Sequence, residues 1–478
     1  MKKIYEKVNK IIANDRIQAI FLVLEMLVFV VTFVTLTGGQ GVDFDEALSW
    51  DVVVNNDFKG ILAATAADVH PPLYYLIVKI FFLLFGASIK VMVCASIVPV
   101  ILGMLMTSVF VTKRWGCGTA LLFNLVYAFS PFMLHYALNL RMYSWMALFV
   151  LGVVLISYEI SIEGKKWQFC ALFFFSIASV YTQYFAVIPI VVCYIWLFIV
   201  FLQKKNWKGL AYFVFVGVLD VITYIPWLIY GMKNMGIAMG GAGGEYKFYY
   251  APSVIFNTLF ESNLENGDVM AGILFFLAVA LFVLLRKRYI SNEKSFIVML
   301  FVNTIFSWYF SQWLGSLNGH FFHPRYVLFC LVFVWLLFSI VFARSGVPVY
   351  ILFCLWSLEI CLSSYLVERA YEYETTPLMP YTVAFIDANV PSDAVFVYDY
   401  HPDFYVIWEY YLPGHEIVYF DDLDLDDMRG QSFWVINISG AEFGWEEIEE
   451  YSLEIEHNPG MGFMGMERFD LWKVSVGE

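Results

Sequence analysis

The run from Ile17 to Leu36, IQAIFLVLEMLVFVVTFVTL, is twenty residues long and carries Glu25 as its one charged member. An α-helix needs about 20 mainly apolar residues to cross a bilayer. Comparable stretches recur near 88 to 112, 117 to 134, 144 to 161, 167 to 182, 185 to 203, 208 to 231, 269 to 286, 294 to 314, 326 to 343 and 347 to 367. Eleven such segments predict a polytopic α-helical membrane protein, because a helix satisfies its own backbone hydrogen bonds inside lipid. Composition excludes a water-soluble globule: 61% of residues are hydrophobic, 15% are charged and mean hydropathy is +0.70, whereas soluble domains carry roughly 25% charged residues. The first run is too long for a signal-peptide core and lacks a small-residue cleavage site, so it reads as the first span.

One apolar stretch is left over, PPLYYLIVKIFFLLFG from Pro71 to Gly86. Counting it as a span would put the later basic loops on the wrong side. Read instead as an interfacial helix, it leaves 17 of the 28 Lys and Arg on short loops of one side, which the positive-inside tendency makes cytoplasmic. The N-terminus is then cytoplasmic and the C-terminus extracytoplasmic. The long outer segments are 38 to 87, 232 to 268 and everything from 368.

The formal charge of −14 divides unevenly. Residues 368 to 478 hold 24 acids and 4 bases, a net of −20, so residues 1 to 367 carry +6. Two domains are therefore expected, a transmembrane body over 1–367 and a small acidic α/β extracytoplasmic domain over 368–478. Strands are expected at Ala394 to Tyr400, Glu416 to Phe420, Ser432 to Ser439 and Glu467 to Val476, with helices at 403 to 412 and 443 to 451. The seven cysteines all fall in apolar runs, with no disulfide or zinc spacing, and read as small buried hydrophobes.

The first outer loop, GVDFDEALSWDVVVNNDFKGILAATAADVHPPLYYL, contains six acids against Lys59 alone. A solvated acidic loop explains most of them. Asp45 and Glu46 stand out because they open a short helix, Glu46 to Val54, whose Leu48, Trp50 and Val52 would hold it against the membrane. Asp45 could be its N-cap or a general base at the membrane surface. His70 is fixed by Pro71 and Pro72 where the loop returns to the membrane. Arg141 and Arg325 stand at outer span ends, against the positive-inside bias. Snorkelling explains such arginines blandly; an anionic phosphate, which guanidinium grips bidentately, explains them better. The loop 232 to 268, with GGAGGEYKFYYAPS, fits no phosphate-binding motif and reads as a mobile loop or a lid offering tyrosines to sugar rings.

Together these segments resemble the GT-C glycosyltransferases related to protein O-mannosyltransferases and the bacterial aminoarabinose transferase. The resemblance covers residues 15 to 340 and rests on the order of DFDEALSW, DVHPPLYYLIVKIFFLLFG, SPFMLHYALNLRMYSWMALFVLGVVL, VYTQYFAVIPI and HPRYVLFCLVFVWLL. It implies a GT-C fold and an inverting enzyme that moves a hexosyl or pentosyl unit from a polyprenyl-phosphate donor to a glycan, lipid or protein acceptor on the outer face. By that resemblance Asp45 is the catalytic base, Glu46 positions it or the acceptor, and His70, Arg141 and Arg325 bind the donor phosphate. Tyr143, Tyr184 and Tyr326 are candidate substrate contacts. Leu138 and Asn139 depart from the Gln-Glu that many relatives carry ahead of the Arg-Met-Tyr element. The acidic tail is unlike the sugar-binding modules of eukaryotic relatives, so a protein acceptor is not inherited from them.

The resemblance requires no cofactor, although Asp43, Asp45 and Glu46 could hold a divalent cation. No nucleic-acid partner is expected. The chief alternative is a transporter or flippase of lipid-linked sugars. Transporters favour internal repeats and ionisable groups at the bilayer midplane; here no repeat is evident, and only Glu25, Asp220 and Glu359 lie well inside spans. A structural membrane protein whose outer domain binds partners is the third class.

Overall fold

The structure, a computed structural model, describes residues 15–37, 42–68, 70–234, 267–317, 324–375, 386–399, 405–438, 453–464 and 467–477. The chain divides into two compact units, one formed by 1–35 and 56–366, the other by 36–55 and 367–478. Residues 36–55, the start of the first loop, therefore belong with the C-terminal segment.

The larger unit is helical. Its elements are α1 (Asp15–Leu36), α3 (Phe58–Ala67), α4 (Leu73–Phe85), α5 (Ile89–Trp115), α6 (Cys117–Phe129), α7 (Pro131–Leu138), α8 (Tyr143–Ile162), α9 (Lys166–Thr182), α10 (Val187–Lys204), α11 (Trp207–Asn234), α12 (Gly267–Leu285), α13 (Ser291–Leu317), α14 (Cys330–Ser345) and α15 (Val347–Thr375). All eleven expected apolar stretches are helical. Seven of the described helices are long and apolar enough to cross a membrane, or eight if α6 and α7, bent by 55° at Ser130, form one broken span. The shorter α9 and α14 miss that length test, with 17 and 16 residues. The leftover stretch is α4, 13 residues long. At 1.5 Å per residue it extends about 20 Å, short of a hydrocarbon core of about 30 Å.

Two helices form the centre of this unit. α8 is buried from Tyr143 to Ser161, and α14 from Cys330 to Phe342. α8 is pinned to α5 where Ser144 Oγ donates to the Ser96 carbonyl and Trp145 Nε1 to that of Ala95, both at 2.9 Å. Against α9 it carries Gly152, where an added Cβ would stand 2.3 Å from the Phe175 ring.

The predicted inner-side charges meet at one end of the bundle. Lys113 and Arg114, ending α5, hold Glu159 and Glu163 at the end of α8, and Lys165 closes on Glu163 at 2.7 Å. At the same end Arg344 grips Glu293 through both terminal nitrogens, at 2.8 and 2.6 Å, and accepts Arg288 on its carbonyl at 3.0 Å.

The second unit contains α2 (Phe44–Val54), α16 (Tyr405–Tyr411) and the strands β1 (Val395–Tyr398), β2 (Glu416–Tyr419), β3 (Ser432–Ile438), β4 (Leu453–Met464) and β5 (Glu467–Val476). They make one sheet of order β2-β1-β3-β5-β4. β1 runs parallel to β2 and β3, while β5 is antiparallel to β3 and β4. Val397, Phe433, Val435, Val474 and Val476 form its core with Phe420 and Met428. The four expected strands are present and α16 lies within the expected 403 to 412. β4 is an addition: its Pro459 and Gly460 read as strand breakers, but it is an edge strand with a register shift between Asn458 and Gly462, where proline and a bulge are tolerated. The expected helix at 443 to 451 lies outside the described residues.

Candidate active site

In the larger unit the site begins where α3 gives way to α4. Asp57 caps α3, accepting from the Gly60 amide at 2.7 Å. The helix ends at Asp68, and the buried Pro71 and Pro72 lead into α4. Proline disfavours helical backbone at the residue before it, so α3 does not run on through Pro71 and Pro72 and His70 sits in the corner between two helices. It is 7% exposed.

Nδ1 of His70 lies 2.9 Å from Oδ2 of Asp68, and its Nε2 lies 3.3 Å from Nη2 of Arg141. Guanidinium can only donate, so Nε2 is the acceptor and the ring proton belongs on Nδ1, donated to the carboxylate. Asp68 thus selects the tautomer that His70 needs to hold Arg141. Arg141 is 1% exposed and follows the short α7, with its amide on the Asn139 carbonyl at 2.8 Å. A guanidinium so far from solvent, oriented by a neutral imidazole, is a fixed cation of the kind that binds phosphate oxygens.

Arg325 lies in the 3-10 turn Pro324–Val327. Its guanidinium carbon is 5.9 Å from the Tyr143 ring centroid and 5.8 Å from that of Tyr326. Tyr326 stacks on Phe185 at 5.7 Å and 9°, and Tyr143 meets Tyr136 edge-on at 5.1 Å. Two of the three candidate tyrosines, Tyr143 and Tyr326, therefore meet one arginine by cation–π contact. Tyr184 is one residue before Phe185, and its hydroxyl accepts from Trp227 Nε1 at 3.3 Å. His70 and Arg141 are thus brought into contact, as are Arg325, Tyr143 and Tyr326.

In the second unit Asp45 is not the N-cap of its helix. α2 starts at Phe44, and Asp43 caps it by accepting from the Glu46 amide at 2.8 Å, while Glu46 Oε2 accepts from the Asp43 amide at 3.0 Å. This reciprocal capping box buries Glu46 to 6% exposure and engages both carboxylates locally. Asp45 is left half-buried in the first turn, where its carbonyl accepts from Ser49 Oγ at 2.9 Å. Trp50 meets Tyr410 of α16 edge-on at 5.9 Å. Tyr411 clamps Val42: its hydroxyl accepts from the Val42 amide at 2.5 Å and donates to the Val42 carbonyl at 3.0 Å. Burial raises the Tyr411 pKa, which keeps the phenol protonated.

Sequence reasoning missed Asp68, which it counted among the solvated loop acids. The available signal was its place two residues before a proline-fixed histidine. Among the described residues no cluster of three His, Cys, Asp or Glu is arranged to hold a metal ion, and Asp43 and Glu46 are occupied with each other's backbone. Most of the tyrosine-rich loop at 232 to 268 lies outside the described residues.

No protein-family model matches the chain, and no curated protein matches its sequence. Solved structures do match in fold. The crystal structure of ArnT from Cupriavidus metallidurans in the apo state superposes with a TM-score of 0.63 at 12% identity, over 94% of this chain and 97% of that one. The same protein bound to undecaprenyl phosphate gives 0.64 at 13% identity with the same coverage. The architecture is therefore the GT-C fold of ArnT, with a small mixed sheet after the helices.

Proposed function

We propose that the protein is an inverting glycosyltransferase that takes a sugar from a polyprenyl-phosphate donor and passes it to an acceptor hydroxyl on the outer face of the membrane. The observation that carries this reading is the Asp68–His70–Arg141 array, with its histidine and arginine buried, in a chain with the fold of ArnT, a protein that binds undecaprenyl phosphate. Asp45 takes the proton of the acceptor hydroxyl as it attacks the anomeric carbon, and the lipid phosphate departs from the opposite face. A phosphate diester oxygen leaves as a stable anion, so no general acid is needed, in contrast to the paired carboxyls of most glycoside hydrolases. The transition state needs cations at the departing phosphate, which is the role assigned to Arg141 and Arg325. His70 acts through Arg141, because both of its ring nitrogens are engaged within the protein. Glu46 acts through the capping box that fixes the first turn of α2.

The test is transfer by the purified protein from a radiolabelled polyprenyl-phosphate sugar. Asp45→Asn should abolish transfer while leaving donor binding and folding intact. Full activity in that variant would remove Asp45 from the mechanism, and movement of donor across a bilayer without transfer would point to a flippase.

A further inference from the structure

Within the helical unit, α11 packs against α9 and against α3, the helix that ends at Asp68. Its contact with the turn after α9 is polar. Trp227 of α11 donates from Nε1 to the Tyr184 hydroxyl at 3.3 Å, and Tyr184 opens the 3-10 turn Tyr184–Ala186 that joins α9 to α10. Indole can only donate, so the Tyr184 oxygen is the acceptor and the phenol keeps its own proton for another partner. Among the described residues the hydroxyl makes no second hydrogen bond. Trp227 is itself fixed: the Tyr181 ring lies 6.3 Å from it and the Tyr230 ring 5.9 Å, and Tyr181 is anchored by donating to the Thr223 carbonyl at 2.9 Å.

Position, room and access make this hydroxyl a contact for a sugar. Asp68 is near enough for its charge to act on the Tyr184 phenol, and the next residue, Phe185, stacks on Tyr326 of the Arg325 group. Tyr184 therefore neighbours both groups assigned to the donor phosphate, where the sugar esterified to that phosphate must also lie. Gly231 keeps the flank of the Trp227–Tyr184 bond uncrowded: the nearest side-chain atoms to an added Cβ would be the Tyr184 hydroxyl at 3.7 Å and Trp227 Nε1 at 3.9 Å. Trp227 is 6% exposed, whereas Tyr184 is partly exposed and Tyr230 is 43% exposed. A ligand thus meets Tyr184 and Tyr230, and Trp227 acts from behind. Aromatic walls with a few placed polar groups fix the orientation of a small ligand, and a site that hydrogen-bonds a substrate hydroxyl rejects the analogue lacking it.

Resting on the glycosyltransferase reading above, we propose that Tyr184 donates to one hydroxyl of the donor's sugar and so selects among polyprenyl-phosphate sugars, with Trp227 as its positioning residue. By occupying one side of the phenol oxygen, the indole N–H sets the direction of the remaining O–H. The test is titration of the purified full chain with a synthetic polyprenyl phosphate, bare and carrying each of a panel of hexoses and pentoses. The sugar bound most tightly is then remade in its single-deoxy forms. Wild type should bind one deoxy donor about tenfold more weakly than the parent, the effect of one good hydrogen bond. Tyr184→Phe should bind the parent about tenfold more weakly and treat that deoxy donor as its equal. Trp227→Phe keeps a ring beside Tyr181 and Tyr230 and should shrink the discrimination to about two- to threefold. Bare polyprenyl phosphate should bind all three proteins alike. Damage to the fold would weaken parent and deoxy donors equally, so lost discrimination separates positioning from packing. Indifference of wild type to every deoxygenation, full discrimination in Tyr184→Phe or in Trp227→Phe, or an equal loss of bare polyprenyl phosphate, which would make Tyr184 a phosphate ligand, would each overturn the proposal. Because the readout is binding, a donor that is bound and discriminated but never transferred would sink the glycosyltransferase reading and leave the sugar contact standing.

Discussion

Nη2 of Arg141 lies 3.3 Å from Nε2 of His70, and neither residue exceeds 7% exposure. The pair converts a loop histidine into the support for a buried cation. Its other support is Asp68, whose carboxylate dictates which imidazole nitrogen carries the proton. An amide in place of that carboxylate can donate to Nδ1, which moves the ring proton to Nε2 and turns it against Arg141. Asp68→Asn should therefore raise the donor KM about tenfold, in line with roughly 1.5–3 kcal/mol for a hydrogen bond to a charged group, with little change in the acceptor KM. Steady-state kinetics with each substrate varied in turn checks this, and equal changes in both constants would count against it.

Arg325 lies over two aromatic rings, those of Tyr143 and Tyr326. Tyr143→Phe keeps the ring and should leave donor affinity near wild type, whereas Tyr143→Ala removes one face and should weaken donor binding severalfold, as about 1 kcal/mol of cation–π attraction predicts. Donor titration of both variants distinguishes a ring effect from a hydroxyl effect. If the phenylalanine variant is as weak as the alanine variant, Tyr143 acts through its hydroxyl instead.

Gly152 lets α8 approach α9. With a Cβ placed 2.3 Å from the Phe175 ring, Gly152→Ala forces a fully buried helix to shift or an aromatic ring to leave its rotamer, at about 1–3 kcal/mol. The expected outcome is a lower Tm for the detergent-solubilised protein, partly restored in the double variant Gly152→Ala, Phe175→Leu. A restored Tm locates the fault at this crossing.

Glu163 receives hydrogen bonds from Lys113, Arg114 and Lys165 just beyond the end of α8. These contacts, Lys113 first, lower its pKa from 4.5 to about 2. A carboxylate whose folded pKa is depressed stabilises the fold fully above its unfolded value, and that contribution disappears as pH falls through the folded value. The Tm difference between wild type and Glu163→Gln should thus be constant above about pH 5 and shrink between pH 4.5 and 2. Two of its three partners, Lys113 and Lys165, are exposed, so the difference should also narrow at high salt. A Tm gap that persists unchanged at pH 2 would assign the effect to packing.

The helices were legible because the apolar runs are long and their ends are marked: Ser88, Gly116 and Gly346 stand at the boundaries that the sequence suggested. The non-spanning character of α4 was legible from loop charges alone. The pairing of His70 with Arg141 was not, since 71 residues separate them and only the packing of α4 and α8 on α5 brings the two together. The same holds for Arg325 and Tyr143. Asp43 displaced Asp45 as the cap because a capping box requires the acid at N3 to reach back, and both acids of Asp-x-x-Glu satisfy that spacing. β4 was hidden by its own Pro459 and Gly460.

Tyr411 and Val42 offer the most direct test of how the first loop is anchored. Residues 36–55 form one compact unit with the C-terminal segment, and the Tyr411 hydroxyl satisfies both backbone groups of Val42, immediately before the capping residue Asp43. Tyr411→Phe keeps the ring against Tyr410 but leaves a buried amide and carbonyl without their partner, which costs about 1–3 kcal/mol. That loss falls on the segment entering α2, so fraying there should precede global unfolding. Limited proteolysis should then cut between residues 36 and 55 faster in the variant than in wild type. Transfer activity supplies the second readout: kcat should fall while donor affinity, assigned to Arg141 and Arg325, stays unchanged. If donor affinity falls and the loop remains protected, Tyr411 supports a different element from the one carrying Asp45.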